Sequence, residues 1–379
     1  LAERREPDRR SRARLLNEGR NVMTYKVIQW ATGSVGGVSL RSIIEHPDLE
    51  LVGVLVTDPA KVGRDAGSLC GLAPTGVLAT NEPDAVLTLD ADCVSHSPRN
   101  TKETTEDLAR ILETGKSVVS SALVPALYAP ARHVSRRSTD RLDQACRKGQ
   151  SSLFVSGIDP GFATDALPLF LTGISGRVDH IRMMEIFSYE HYDDAETQFG
   201  WFGFGQPIDS PLPPYMAPGR LTRYWGPTVE MVAAGLGLEV DEIKETTDRV
   251  ATDEDLDLEI GRVAAGTIAA LRFEVQGFVG GRQVVTLEHV TRLHPSVAPE
   301  WPQPLVRDGC YRIIIEGWPN YELNLHSFAD DGNSFLGMEA ATGLWLINNI
   351  PAVCEASPGI LSPFDLGLER RPWLSRSSV

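Results

Sequence analysis

The segment 96–107, His-Ser-Pro-Arg-Asn-Thr-Lys-Glu-Thr-Thr-Glu-Asp, gathers His96, Lys102, Glu103, Glu106 and Asp107 directly after a short apolar run. Thr104 or Thr105 can cap a helix here, with Glu106 and Asp107 in its first turn against the dipole. That placement accounts for two of the carboxylates. It leaves Glu103, just ahead of the helix, to give and take a proton. A second carboxylate, Asp159, stands in Ser156-Gly157-Ile158-Asp159-Pro160-Gly161, where Pro160-Gly161 forces a turn. Asp165 falls in the helix that follows and reads as a cap or packing residue.

Proton transfer needs a partner reaction, and the elements upstream supply a candidate. Tyr25–Trp30 is a β-forming apolar run that leads into Ala31-Thr32-Gly33-Ser34-Val35-Gly36-Gly37. A helical pattern with Val38, Leu40, Ile43 and Ile44 follows, then a second buried strand from Leu49 to Val56. This is a strand, glycine turn, helix and strand of the kind that holds a dinucleotide, with Ala31 in place of the usual first glycine. Gly33 lets backbone N–H groups approach a diphosphate, Gly36 allows close packing of helix on strand, and the helix N-terminus attracts the anion. Ala31, Thr32, Gly33, Ser34, Val35 and Gly36 are therefore candidate cofactor ligands.

The loop after the second strand contains Thr57, Asp58, Lys61 and Arg64. An acid at a strand tip takes a ribose 2′-hydroxyl and favours NAD, whereas Lys61 and Arg64 can hold a 2′-phosphate. Asp58 lies past the strand end and precedes a proline. The expected cofactor is therefore NADP(H), with NAD(H) tolerated.

Strands alternating with helices continue through Thr75–Thr80, Ala91–Ser95, Lys116–Ser121 and Ser152–Ser156, with helices at Glu82–Leu89, Thr104–Thr114 and Ala131–Lys148. This is the pattern of a doubly wound parallel sheet, in the order 3-2-1-4-5-6. Ligands of such sheets lie beyond the strand ends, between strands 1 and 4. That places Ser97, Pro98 and Glu103 beside the nicotinamide, with Asp159 at the same end of the sheet.

From about Arg177 the pattern changes to long strands at 178–189, 267–280, 282–294, 310–317 and 321–328, with Gly280-Gly281 as a hairpin turn. They predict a mostly antiparallel sheet with one face on a helix at Val229–Leu238. The other face is expected to meet a second subunit, because an uncovered apolar sheet aggregates. Residues 190–219 are rich in Gly, Pro and aromatics and read as a lid over a substrate pocket. Tyr189, His191, Tyr192, Trp201 and Phe202 are its candidate wall, and Asp159 and Pro160 are further candidate pocket residues. Dimer packing is the other use of these aromatics.

The fold class expected is α/β, an N-terminal Rossmann dinucleotide-binding domain joined to an α+β domain with a mostly antiparallel sheet. The expected boundaries are an extension or disordered arm at 1–22, a dinucleotide domain at 23–160 completed by 335–379, and a substrate-binding and dimerisation domain at 161–334. The first twenty residues carry seven Arg and four acids and lack the apolar stretch of a signal peptide.

Composition narrows the function. Thirty-six Lys and Arg against 51 Asp and Glu give a net charge of −15, which disfavours nucleic-acid binding. No apolar run is long enough to span a membrane. Five widely spaced cysteines with no Cys-x-x-Cys argue against a disulfide framework or structural zinc and fit the cytoplasm. Glu288, His289 and His294 have no helical metal spacing, so no metal is expected. Ser34 is not in a nucleophile elbow.

The motifs YKVIQWATGSVGG (25–37), SGIDPGFATDALPL (156–169) and LWLINNIPAVCEASPGI (344–360) resemble the dihydrodipicolinate-reductase superfamily, in its branch of 2,4-diaminopentanoate dehydrogenases and native amine dehydrogenases. The His-His pair and D-A-P-S-G-T loop of the reductases proper are absent, and so is the E-K-P motif of the glucose-fructose-oxidoreductase relatives. The resemblance implies NAD(P)H-dependent reductive amination of a small ketone or aldehyde with ammonia, reversible as oxidative deamination. It also implies that Glu103, in a dry pocket, is the catalytic group, and that helix 335–355 returns to the first domain. Asp159-Pro160-Gly161-Phe162 stands where the diaminopentanoate enzymes have N-P-G-F, a departure at the substrate. The alternatives are a reductase of another C=N or C=O compound and a non-catalytic cofactor-binding sensor.

Overall fold

The computed structural model describes residues 24–133 and 136–367. The arm expected at 1–22 lies outside them, as does the chain beyond 367. Seven strands form the first sheet: β1 (Tyr25–Trp30), β2 (Leu49–Leu55), β3 (Ala79–Thr80), β4 (Cys93–His96), β5 (Ser117–Ser120), β6 (Ser152–Val155) and the late β15 (Gly359–Leu361). Their order is β15-β6-β5-β4-β1-β2-β3, all parallel, so the expected 3-2-1-4-5-6 arrangement is present with one strand added at the β6 edge. The strands are buried on both faces, as a parallel sheet covered by helices must be.

Helices α1 (Ser34–Glu45), α2 (Ala66–Leu69), α3 (Pro83–Leu87), α4 (Thr104–Glu113) and α5 (Arg137–Gly149) connect the first strands. The expected third strand shrinks to two residues because Asp65 intervenes. Its carboxylate accepts hydrogen bonds from the N–H groups of Gly67, Thr75 and Gly76, which turns the chain where a strand would run. Helix α8 (Ser334–Glu355) returns to the first sheet and contributes Leu346, Ile347, Ile350 and Val353 to the core under Val27, Val119 and Phe154. Gly343 permits its close approach to α1, since a Cβ there would stand 2.9 Å from Ser39 Oγ.

Helix α6 (Ala166–Thr172) leads to the second sheet, built from β7 (Arg177–Ser188), β8 (Glu242–Ala251), β11 (Ile268–Val279), β12 (Arg282–Arg292), β13 (Gly309–Trp318) and β14 (Tyr321–Leu325), with a small hairpin of β9 (Leu256–Leu258) and β10 (Gly261–Val263) apart from it. The order is β14-β13-β7-β12-β11-β8. Every pair is antiparallel except β7 with β12. Gly280 and Gly281 both take positive φ, 58° and 78°, as the β11–β12 hairpin requires.

One face of this sheet packs on α7 (Arg220–Gly235), where Gly277 makes room for Val229. The opposite face differs from expectation. It is largely charged: Arg182 pairs with Glu274 at 2.6 Å and with Glu288, and Arg272 pairs with Glu288 at 2.8 Å. Its apolar part is a small cluster of Met184, Ile186, Val290 and Cys310 under Trp301.

Candidate active site

The glycine turn meets the steric demands placed on it. Ala31 takes φ 72°, turning the chain out of β1. A Cβ on Gly36 would stand 2.4 Å from the Ala31 carbonyl oxygen, so only glycine lets α1 sit this close to the strand. Gly33 has nothing within 4 Å of its would-be Cβ, and as N-cap it offers no side chain to the first-turn N–H groups of α1. Those groups sit at a helix N-terminus with open space beside Gly33, the setting a diphosphate needs. The donor set and the space therefore fit a dinucleotide.

Lys61 reaches this turn. Its Nζ donates to the Thr32 carbonyl oxygen at 2.8 Å and lies 3.3 Å from Thr32 Oγ1. Asp58 turns instead to its own loop, accepting from Ala60 N at 2.9 Å. Thr57 is exposed, and so is Arg64, whose Nη2 lies 3.4 Å from the Ser68 carbonyl oxygen. Ser97 N donates to the Trp30 carbonyl oxygen, which locks the start of the β4 exit loop to β1. Pro98 is half-buried beside it. His96, at the tip of β4, is buried, and burial pushes its pKa down to about 3, so it stands neutral with Nδ1 2.9 Å from Ser120 Oγ.

Glu103 is the N-cap residue of α4, a position the sequence assigned to Thr104 or Thr105. Its carboxylate makes no capping bond and lies 3.5 Å from Lys102 Nζ with 57% of the side chain exposed. It faces solvent rather than a dry pocket. The same loop touches the 190–219 segment, where Arg99 Nη1 lies 2.8 Å from Glu196 Oε2.

Enclosed acid chemistry is found at Asp159. A crevice of about 100 Å³ opens beyond β5 and β6, lined by Ser121, Leu127, Ser156, Gly157, Asp159, Pro160 and Thr342. Gly161 takes φ 149° in the turn and sits against Ser156, and Thr164 Oγ1 donates to Asp159 Oδ1 at 3.1 Å. The other oxygen, Oδ2, is 2.8 Å from Nε2 of His289 on β12, while Nδ1 of the same ring is 3.3 Å from Glu185 Oε1 on β7. The two carboxylates thus lie against opposite ring nitrogens, the arrangement of an ion-paired imidazolium, with one ligand atom of each of the three residues within 4.8 Å of the others. Burial alone would lower the His289 pKa. The Asp159 and Glu185 charges outweigh it and hold it at about 10. The ring stacks on Phe273, centroids 4.5 Å apart at 14°, and meets the edge of Trp225 at 4.8 Å. Burial raises the Glu185 pKa, against the pull of His289.

The structure divides the expected pocket wall. Tyr189 and Tyr192 are packed together, centroids 5.1 Å apart, and both touch Phe335 of α8. His191 turns outward with 55% of its side chain exposed, near Glu259, and Trp201 is 50% exposed. Asp165 caps α6 by accepting from Ala166 N, as its position suggested. Sequence reading missed Glu185 and His289 as site residues, along with Trp225, Phe273 and Tyr311. The available signal was a Glu and a His on the inward phase of otherwise apolar strands, Met183-x-Glu185-x-Phe187 and Leu287-x-His289.

Residues 162–373 match the model of the 2,4-diaminopentanoate dehydrogenase C-terminal domain family. An amine dehydrogenase of Streptomyces virginiae is 40% identical over 355 residues, covering 92% of this chain and 97% of that protein. The 2,4-diaminopentanoate dehydrogenase of Acetoanaerobium sticklandii is 23% identical, covering 91% and 94%. The structure of an amine dehydrogenase from Mycobacterium smegmatis superposes with a TM-score of 0.71 at 20% identity, over 92% of this chain and 98% of that one. A glycine turn that fits a diphosphate and a crevice beside Asp159 at the same sheet end agree with these likenesses, and the chain belongs to the amine dehydrogenases of the 2,4-diaminopentanoate dehydrogenase family.

Proposed function

We propose that this protein catalyses the NAD(P)H-dependent reductive amination of small ketones or aldehydes with ammonia, and the reverse oxidative deamination. The observation that carries this reading is the pairing of the Gly33–Gly36 turn with the crevice beside Asp159 at the same sheet end, in a chain 40% identical to an amine dehydrogenase.

The first-turn N–H groups of α1 hold the diphosphate. Lys61, whose ammonium already sits on Thr32, takes the 2′-phosphate side, which makes NADP(H) the preferred cofactor with NAD(H) tolerated. When bound, the nicotinamide supplies the hydride or accepts it. Ala31, Ser34, Val35, Thr57, Arg64, Ser97 and Pro98 complete the cofactor groove. Glu103 moves the proton: it accepts one from ammonium, freeing ammonia to attack the carbonyl, and returns it to the carbinolamine hydroxyl as that leaves as water. The iminium left by the loss of water is the group to which a bound nicotinamide would supply hydride. The Arg99–Glu196 pair couples the Glu103 loop to the 190–219 lid, so closure of the lid brings Glu103 from solvent to the crevice. Asp159, Pro160, Tyr189 and Tyr192 shape the pocket, with His191 and Trp201 on its outer wall.

The charged outer face of the second sheet is assigned to a homodimer, which would cover its half-buried arginines. A solution mass of twice the 41.4 kDa chain supports this, and a mass of one chain overturns it. A reducing cytoplasm suits the five free cysteines, and no described helix is long and apolar enough to cross a membrane. The functional test is absorbance of NADPH with a panel of ketones. Oxidation that requires ammonia supports amination. Oxidation without it identifies a carbonyl reductase, and binding without turnover identifies a sensor.

A further inference from the structure

The register of the second sheet places Tyr311, Glu185 and His289 side by side on the inner face, on β13, β7 and β12. Asp159, from the β6 exit, closes the end of this row and lines the crevice. Glu185 and His289 keep 10% and 9% of their side chains exposed, so the row is enclosed but reachable. It contains two acids against one base. Beside it stands a phenol with an unused acceptor: the hydroxyl of Tyr311, a residue only 1% exposed, faces Glu185 and its oxygen accepts no hydrogen bond. Buried polar groups are ordinarily paired, and an enclosed excess of acid is costly unless a cation joins it. The occupant these features describe is small, cationic and rich in N–H donors.

We propose that this row is the nitrogen subsite of the enzyme. Glu185 is the counter-ion of ammonium in the aminating direction and of a primary alkylammonium in the other. The Tyr311 oxygen accepts one of the N–H groups. His289 is a positioning residue that fixes the Asp159 and Glu185 carboxylates from between them. The assignment rests on the amination reading above and deepens it, because Glu103 then transfers protons at a nitrogen that Glu185 holds.

The test measures binding of isopropylammonium to the NADP⁺-loaded protein by calorimetry, with the KM for ammonium measured in parallel. Glu185→Gln should weaken both by about tenfold or more, since it removes one charge of a buried pair. The Kd for NADP⁺ should stay within about twofold, and Glu185→Asp should recover part of the loss. His289→Gln should raise the ammonium KM while leaving the ketone KM unchanged. If Glu185→Gln does not fold, Tyr311→Phe serves in its place, with a loss of about three- to tenfold for one hydrogen bond to a charged group. An unchanged isopropylammonium Kd in a folded Glu185→Gln or Tyr311→Phe protein overturns the subsite, as does a wild-type protein that does not bind this cation. Glu185-dependent binding without ammonia-dependent NADPH oxidation leaves the subsite standing and removes the amination reading instead.

Discussion

Gly33 and Gly36 lie three residues apart in the same turn, yet substitution by alanine should affect them through different physics. A Cβ at Gly36 would stand 2.4 Å from the Ala31 carbonyl oxygen, a backbone atom, with Gln29 Nε2 at 3.3 Å. Neither α1 nor β1 can yield without losing its packing, so Gly36→Ala should cost about 1–3 kcal/mol of stability, the usual range for overpacking. For a chain of this size that is a fall in Tm of roughly 1–4 °C. At Gly33 the would-be Cβ meets nothing within 4 Å, and φ is −73°, which any residue accepts. Gly33→Ala should therefore melt with the wild type, to within about 1 °C. Its methyl group instead enters the space that the diphosphate must occupy. Loss of close N–H contacts to that group should weaken cofactor binding by about 10–100-fold, or roughly 1.4–2.7 kcal/mol. Thermal melts with and without NADPH, together with fluorescence titration of NADPH, separate the two effects. A Gly33→Ala protein that binds NADPH as tightly as the wild type would refute a diphosphate on this turn.

Other expectations follow from individual side chains. Glu103→Ala should abolish turnover while leaving the NADPH Kd within about twofold, because Glu103 is solvent-facing and holds no structural bond beyond Lys102; single-turnover kinetics and a binding titration check this. Lys61→Ala should weaken NADPH by about tenfold or more and NADH by less than about threefold, as read from the two dissociation constants. The His289 pKa is raised to about 10 in the fold, so its contribution to stability is complete below the unfolded value near 6.5 and is lost as pH rises through about 10. Chemical denaturation across that window should show a loss in the wild type that is smaller in His289→Gln.

The first sheet was legible because each of its signals is local. An apolar run, a glycine turn and a helical period lie within thirty residues, and parallel strands announce themselves by continuous burial. Strand β8 (Glu242–Ala251) was not recognised, since Lys244, Thr246 and Asp248 on its exposed side mask the inward Ile243, as is usual for an edge strand. The parallel pairing of β7 with β12 joins segments about a hundred residues apart, and no local pattern encodes it. The same limit hid the buried acid row. Inward phasing of Glu185 and His289 can be read from alternation, but their meeting depends on register, which is a property of the assembled sheet. Asp159 was found because proline and glycine mark its turn, whereas its partners bear no such mark. The aromatic lid was read as one surface, but backbone geometry sends Tyr192 inward and His191 and Trp201 outward.

Transfer of the hydride to a carbon that carries nitrogen can be followed directly. The protein is incubated with ammonium, a small ketone and NADPH deuterated at the transferable C4 position, and the products are analysed by mass spectrometry. A primary amine bearing one deuterium on the amine-bearing carbon is the expected result; deuterium found in the corresponding alcohol, or retained on the cofactor, would contradict reductive amination at this site.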